Sequence, residues 1–462
     1  MKLMRWAAFI LFSISPPCLF ASDLLEIYRQ AQINDPTIQA AREGQLATQE
    51  AIPQARAQFL PVLNADVNHI ASHQSVGTNN ATGTAIINTS NSHYNQSNYG
   101  LTLTQSIFYY QQWIQLSTAA AQVKQANATY AAAEQDLIVR TVKGYFNVLK
   151  ARDTLKFSKA NRTQLAKILD QTQLKFKVGL IATTDVQIAK AKYDKAFAEE
   201  ISNENEFANQ KERLREITGQ SVESFSFVRE DLFLKSPEPS DPEKWVITAA
   251  DQNFELEAAR FGAEASRTDI KNTTTGHLPT LNIQSNIKRF TSARGAPSAT
   301  NSDVGLQVSM PIFNGGAVSS KTRQAVHNYE HKQKKAEALY RKIASDTRQA
   351  YRGVLTQISQ ATAQKQAIAS TDSALKATEA SFNIGTRTIV DVLTAQTDLI
   401  EAQQKYANAR YDYIIESVLL KQAAGILSPE EVQHINTWLI DKERRTPKSR
   451  STRTDVEVAV YP

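Results

Sequence analysis

Seven histidines, one cysteine and a scatter of carboxylates are the side chains of this 462-residue sequence from which metal or acid–base chemistry could be built. His327 and His331 stand four apart in a helix-forming stretch, a spacing that puts two imidazoles on one face for a metal ion, but no third ligand accompanies them. His69 and His73, beside a loop rich in Asn, Ser and Thr, are no better supplied. Cys18 is the only cysteine and falls in the N-terminal leader, so thiol chemistry and a disulfide framework are both absent from the remainder. The chain has no phosphate-cradling glycine loop and no Gly-x-Ser-x-Gly elbow. The residues therefore predict no enzyme, no cofactor and no metal site, and any energy-coupled role has to draw on a partner.

Charged residues do recur in an ordered way beside two glycine turns. "FKVGLIATTDVQIAKAKYDKAFAEEISNENEF" begins at Phe176, and "FNIGTRTIVDVLTAQTDLIEAQQKYANARYDYI" begins at Phe382. They align without a gap, pairing Phe176 with Phe382, Gly179 with Gly385 and Asp185 with Asp391. Asp391 reads as an acid in the first turn of a helix, where the dipole favours it. Thr184 followed by Gln187 reads as a capping box.

The correspondence extends upstream, from "YGLTLTQSIF" to "VGLQVSMPIF" and from "LPVLN" to "LPTLN", so nearly the whole chain is two copies of one unit. The one large length change, 13 residues between Pro61 and Gly100, is expected in a loop, because loops absorb insertions that packed elements cannot.

Each copy must position its turn with two kinds of element. Four segments alternate with period two, apolar Leu63, Ala65 and Val67 against Asn64, Asp66 and Asn68 being the first. Tyr99, Leu101 and Leu103, then Leu281, Ile283 and Ile287, then Val304, Leu306, Val308 and Met310 supply the others. Each is read as about ten residues long, a length and one-sided polarity that suit a transmembrane barrel strand, although an antiparallel sheet on a soluble core reads similarly. Between Gln112 and Lys177 the sole glycine is Gly144, and between Ala317 and Asn383 it is Gly353; a helix of 66 residues would be about 100 Å long. On the returns, Val392, Leu399, Tyr406, Tyr413 and Leu420 fall seven apart, as do Val186 and Tyr193, which signals coiled-coil packing.

The expected layout is a signal peptide over residues 1–21 with Ala21 at the cut, and a first copy over 22–219. That copy holds a β-hairpin near 62–109, a long helix near 112–177 and a return helix near 184–218. A linker over 220–244 leads to the second copy, 245–425, with a hairpin near 280–313 and helices near 317–383 and 389–424. A segment over 426–440 precedes a basic, disordered tail at 441–462. The formal charge of +6 comes from the leader and this tail, leaving the body close to neutral, so nucleic acid is not an expected partner. No apolar run after the leader approaches the 18 or so residues of a membrane helix, so entry into a membrane has to use strands. Four strands cannot close a membrane barrel, for which eight is the small limit, and open edges do not survive in lipid. The chain must borrow strands from copies of itself.

From "LLEIYRQAQINDP" through "QARAQFLPVL", "LTQSIF", "PIFNGG" and "GTRTIVDVLTAQTDL" to "ANARYDYI", the sequence resembles the TolC family of trimeric outer-membrane channel proteins, the enterobacterial TolC type in particular. The resemblance implies a homotrimer with a twelve-stranded transmembrane β-barrel in the cell outer membrane and a long α-helical barrel crossing the periplasm. It implies docking to a periplasmic adaptor (membrane-fusion) protein and an inner-membrane efflux pump or ABC exporter, for drug efflux and type I protein secretion. It further implies that Asp391 belongs to a carboxylate ring at the periplasmic gate, that Arg387 latches the gate, and that Thr184 and Asp185 are its partners. Two positions depart from the family. The second carboxylate, one turn beyond Asp391, is Thr394, and the tip tyrosine is Phe382, which has no hydroxyl to reach Asp185. The competing readings are an exported coiled-coil scaffold that never conducts, which has no use for a lipid-facing band, and a general diffusion porin, which has no use for so long a helix.

Overall fold

A computed structural model describes residues 23–78, 88–229, 231–292 and 298–440; the expected leader and basic tail lie outside them. In chain order the first half forms α1 (Leu24–Asn34), α2 (Pro36–Gln49), α3 (Ala51–Ala57), β1 (Val62–Thr78), β2 (Asn88–Phe108), α4 (Tyr110–Lys177) and α5 (Thr183–Thr218). The short strand β3 (Phe227–Val228) follows. The second half forms α6 (Pro242–Gln252), α7 (Phe254–Thr274), β4 (Thr280–Ser292), β5 (Ala299–Ser309), α8 (Ala317–Asn383), α9 (Ile389–Ala423), α10 (Pro429–Asn436) and β6 (Leu439–Ile440). No helix among the described residues is long and apolar enough to cross a membrane.

The long helices stop where the sequence places glycine. Gly179 and Gly385 both have φ of +79°, a conformation that costs an L side chain but not glycine. At the first turn the Leu180 N–H donates to Lys175 O and the Gly179 N–H to Phe176 O, both at 2.9 Å. At the second the Thr386 N–H donates to Ser381 O at 3.0 Å and the Gly385 N–H to Phe382 O at 3.1 Å. The same Schellman closure thus satisfies the last carbonyls of α4 and α8, which explains why the Phe-x-x-Gly spelling occurs twice.

The strands form one antiparallel sheet in the order β1-β2-β4-β5, so β1 and β5 are edges. Its register carries one row straight across: Leu63 faces Leu103 and Leu103 faces Ser285, while Leu101 faces both Ala65 and Ile287. Ile283 faces Leu306, and Leu281 faces Val308. All four apolar rows therefore fall on a single face, with Asn64, Thr102, Asn286 and Asp303 on the other.

Two expectations need correction. The strands are not uniformly about ten residues: β1 and β2 have 17 and 21, against 13 and 11 for β4 and β5. Most of the extra length of the first copy extends its ladder instead of its loop, since a polar Asn/Ser/Thr stretch with alternating faces can pair as well as turn. In the second copy the strand ends at Ser309, so Met310 falls outside it.

By contacts the chain separates into two compact units that cut across the repeat. One comprises Met1–Gln39, Glu134–Ala249 and Ser345–Pro462, the other Ala40–Ala133 and Ala250–Ala344. Each draws on both copies, because the sheet needs both hairpins and the helical core needs both helix pairs. In the first unit Tyr145, Phe146 and Leu149 of α4 are buried with Leu214 of α5 and Ile414 and Leu420 of α9.

Candidate functional site

The turn end of the helical unit brings the sequence-predicted residues onto one four-helix core. Leu165 and Ile168 of α4, Ala189 and Ala196 of α5, Leu375 of α8 and Ile389, Val392 and Leu393 of α9 form a buried cluster. Tyr193 and Phe382 pack against its margin. The seven-residue spacing of the return helices explains this, since Val392, Leu399, Tyr413 and Leu420 are all buried and Ala402 and Ala409 lie between them. Lys175 stitches the two turns together: its Nζ lies 4.0 Å from the Phe382 ring centroid and 3.5 Å from Asn383 Oδ1. A tyrosine hydroxyl is not needed for that contact, because a cation is held by the ring face. Sequence reasoning missed Lys175 and Asn383. The repeat offset places Lys175 opposite Ser381, two residues from Asn383, which is the one signal that pointed there.

Asp391 is held by the start of its own helix. Its Oδ2 accepts from the Thr388 N–H and the Thr388 hydroxyl, both at 2.9 Å, while the Asp391 N–H donates to Thr388 Oγ1 at 3.4 Å. This is a complete capping box. The Thr388 backbone and hydroxyl, with a smaller contribution from Arg387, hold the carboxyl below the usual carboxylate range. Arg387 Nη1 lies 3.9 Å from Asp391 Oδ1. Thr394 is exposed and donates its hydroxyl to Val390 O at 2.9 Å, so it offers no charge one turn on.

The copy-one turn is built differently. α5 begins at Thr183 with Ala182 as its N-cap and no side-chain capping bond, so Thr184 is already inside the helix. The expected Thr184–Gln187 capping box is therefore incorrect: at the second helical position a threonine hydroxyl cannot reach the first-turn N–H groups. The box occurs in the second copy instead, at Thr388. Thr184 is exposed and Asp185 half-buried. Within the chain Arg387 is brought to Asp391, not to Thr184 or Asp185.

A second surface is the apolar face of the sheet. Val304, Leu306 and Val308 are 78%, 72% and 69% exposed, and Leu63, Val67, Tyr99, Leu101, Leu103 and Ile287 are exposed with them. Leaving such a band in water forgoes on the order of 10 kcal/mol of transfer free energy. The opposite face is hydrogen-bonded for water, with Asn286 Nδ2 donating to Asp303 Oδ2 at 2.9 Å and Ser106 Oγ to Asn282 Oδ1 at 3.1 Å. His327 is exposed and lies 3.5 Å from Glu330, and no cluster of three or more metal-ligating side chains occurs among the described residues.

Comparison with known proteins gives this geometry a family. The sequence model described as "Outer membrane efflux protein" matches residues 27–220 and again 245–426. The outer membrane protein TolC of Vibrio cholerae serotype O1 is 35% identical over 430 residues, 91% of this chain and 94% of that protein. TolC of Escherichia coli (strain K12) is 33% identical, covering 95% and 90%. The alkaline protease secretion protein AprF of Pseudomonas aeruginosa is 24% identical over the full chain and 96% of its own length. The Campylobacter jejuni CmeC outer membrane channel superposes with a TM-score of 0.74 at 17% identity, over 92% of this chain and 91% of that one, a likeness of fold. With the family model spanning both copies and TolC proteins above 30% identity along nearly its whole length, this chain belongs to the outer membrane efflux protein family.

Proposed function

We propose that three copies of this chain close a twelve-stranded transmembrane β-barrel continuous with a periplasmic α-helical barrel. The assembly is a passive exit duct for drug efflux and type I protein secretion when docked to a periplasmic adaptor and an inner-membrane pump or ABC exporter. Its outer-membrane place and channel character follow from the family and from the TolC and secretion relatives. The observation that carries the assembly reading is the four-stranded sheet with an exposed apolar face, a polar opposite face and two open edges. In lipid those edges have to pair, and only further copies of the chain supply four strands of matching register. The number three rests on the resemblance. A scaffold outside the membrane has no use for the apolar band, and a diffusion porin has no use for helices of 68 and 67 residues.

The gate reading rests on the resemblance together with the placement of the turns. Three Asp391 carboxylates form the ring at the constriction, and Arg387 latches by reaching Thr184 or Asp185 of a neighbouring chain. Arg387→Ala should then raise single-channel conductance in planar bilayers. An unchanged conductance would remove the latch from Arg387. Absence of any channel from purified protein would sink the duct itself, as would a deletion strain with unaltered drug susceptibility and unaltered secreted proteins.

A further inference from the structure

Beyond the gate, the extended hairpin of the first copy brings together two histidines that the sequence keeps 20 residues apart. In the β1–β2 ladder His73 stands directly opposite His93, so both project from the same face. Their ring centroids are 4.2 Å apart with planes inclined at 46°, and both residues are exposed. His69 and His73, the pair suggested by spacing alone, are separated by four strand residues, about 13 Å along the strand. His69 has a different partner, its Nδ1 lying 2.8 Å from Ser97 Oγ.

We propose that His73 and His93 form a cross-strand chelate for a borderline divalent transition metal, with Cu2+ the preferred occupant and Ni2+ and Zn2+ weaker ones. Facing residues of an antiparallel pair have Cβ atoms about 4.5–5.5 Å apart, and imidazole nitrogens bind such ions at about 2.0–2.1 Å. Rings already in contact need only rotate to present two nitrogens to one ion, with water completing the coordination.

The surroundings bear on the selectivity. From Val67 to Asn98 the sequence contains no Asp, Glu, Lys or Arg, so the hairpin itself offers no carboxylate that suits Ca2+ or Mg2+. Imidazole donors without carboxylates favour the later first-row ions, copper most strongly.

The site has a structural consequence. Among the described residues the β2–β4 ladder ends at the Gln96 and Ser292 pair, and beyond it β1 and β2 pair only with each other. A lone two-stranded ribbon is marginal in water, and a metal joining its strands favours the paired state. The inference rests on register and ring contact and does not depend on the channel reading.

The test is a Cu2+ titration of the purified full-length protein by electron paramagnetic resonance and calorimetry, with limited proteolysis of the hairpin as a second readout. Expected are one Cu2+ per chain with nitrogen coupling, lost in both His73→Gln and His93→Gln and retained in His69→Gln. Cu2+ should slow cleavage of the hairpin several-fold in the parent and in His69→Gln but not in His73→Gln, and Mg2+ should have no effect. The proposal is overturned if the parent takes up no Cu2+, if the His73→Gln/His93→Gln double variant still does, or if uptake disappears instead with His327→Gln/His331→Gln on α8. Circular dichroism of each variant distinguishes loss of ligand from loss of fold.

Discussion

Asp391 serves the start of its helix, and in the proposed gate the same carboxylate would also face the pore. Oδ2 is committed to Thr388, while among the described residues Oδ1 has Arg387 at 3.9 Å as its ion-pair partner. Three such carboxylates in the proposed ring repel one another, and a polyvalent cation relieves that repulsion. In the proposed ring, Asp391→Asn should abolish block of conductance by a trivalent cation, whereas Thr394→Asp should strengthen it several-fold. Arg387→Ala removes the counter-charge and should strengthen block as well. Parent-like block in Asp391→Asn would reduce Asp391 to a helix-start acid.

Asp35 poses a pH question at the same scale. Its side chain is almost fully buried; burial would raise its pKa, but Arg140 at 2.6 Å and the Thr37 N–H at 3.0 Å reverse the sign and hold it below the usual range. A depressed carboxylate stabilises the fold above the unfolded pKa of about 3.9, and that contribution is lost as pH falls through the folded value. Asp35→Asn should therefore cost about 3 kcal/mol at pH 7, the low end for breaking a buried pair because Asp136 still holds Arg140, and should flatten the acid limb of a melting-temperature profile.

At the scale of elements, the long helices carry single glycines where a return helix comes close. A Cβ on Gly144 of α4 would lie 3.1 Å from Leu214 Cδ1 of α5, and one on Gly353 of α8 would lie 2.5 Å from Glu416 Oε2 of α9. Leu214 is buried and has no room to yield, whereas the Glu416 carboxylate ends a flexible chain. Gly144→Ala should thus lower the melting temperature, although the same change in an open helix gains about 1 kcal/mol. Gly44→Ala in α2, where nothing lies within 4 Å of the added carbon, is the matched control and should raise it. If both variants rise together, the close approach of α4 and α5 is not what keeps Gly144.

For the whole molecule, the proposed barrel makes the two faces of one strand respond oppositely to the same charge. Leu306 belongs to the apolar row and its neighbour Gln307 to the polar one. Leu306→Arg should cost about 2–4 kcal/mol per chain if that face meets the bilayer midplane, and should deplete SDS-resistant trimer in outer-membrane fractions. Gln307→Arg should leave the trimer intact. The parent is expected to migrate as that trimer without boiling and to begin near Ser22, which gel migration and N-terminal sequencing check. A soluble periplasmic monomer would overturn the assembly.

The sequence alone determined what depends on neighbours a few residues away. Glycine at a left-handed position stops a helix whatever surrounds it, so Gly179 and Gly385 were legible. Period-two and period-seven patterns announce which face of a strand or helix is apolar, so the sheet rows and the α9 seam were legible too. Only the tertiary structure decided what depends on register and on pairs distant in sequence. Thr184 looked like a cap by spacing, but the extended residue before α5 is Ala182, and two residues of offset remove the hydroxyl from reach. Lys175 meets Phe382 and Asn383 across some 200 residues, and His73 meets His93 because the ladder runs on into a stretch whose composition reads as loop. The two compact units likewise mix both copies, since a sheet of four strands and a core of four helices each need partners that a single copy cannot provide.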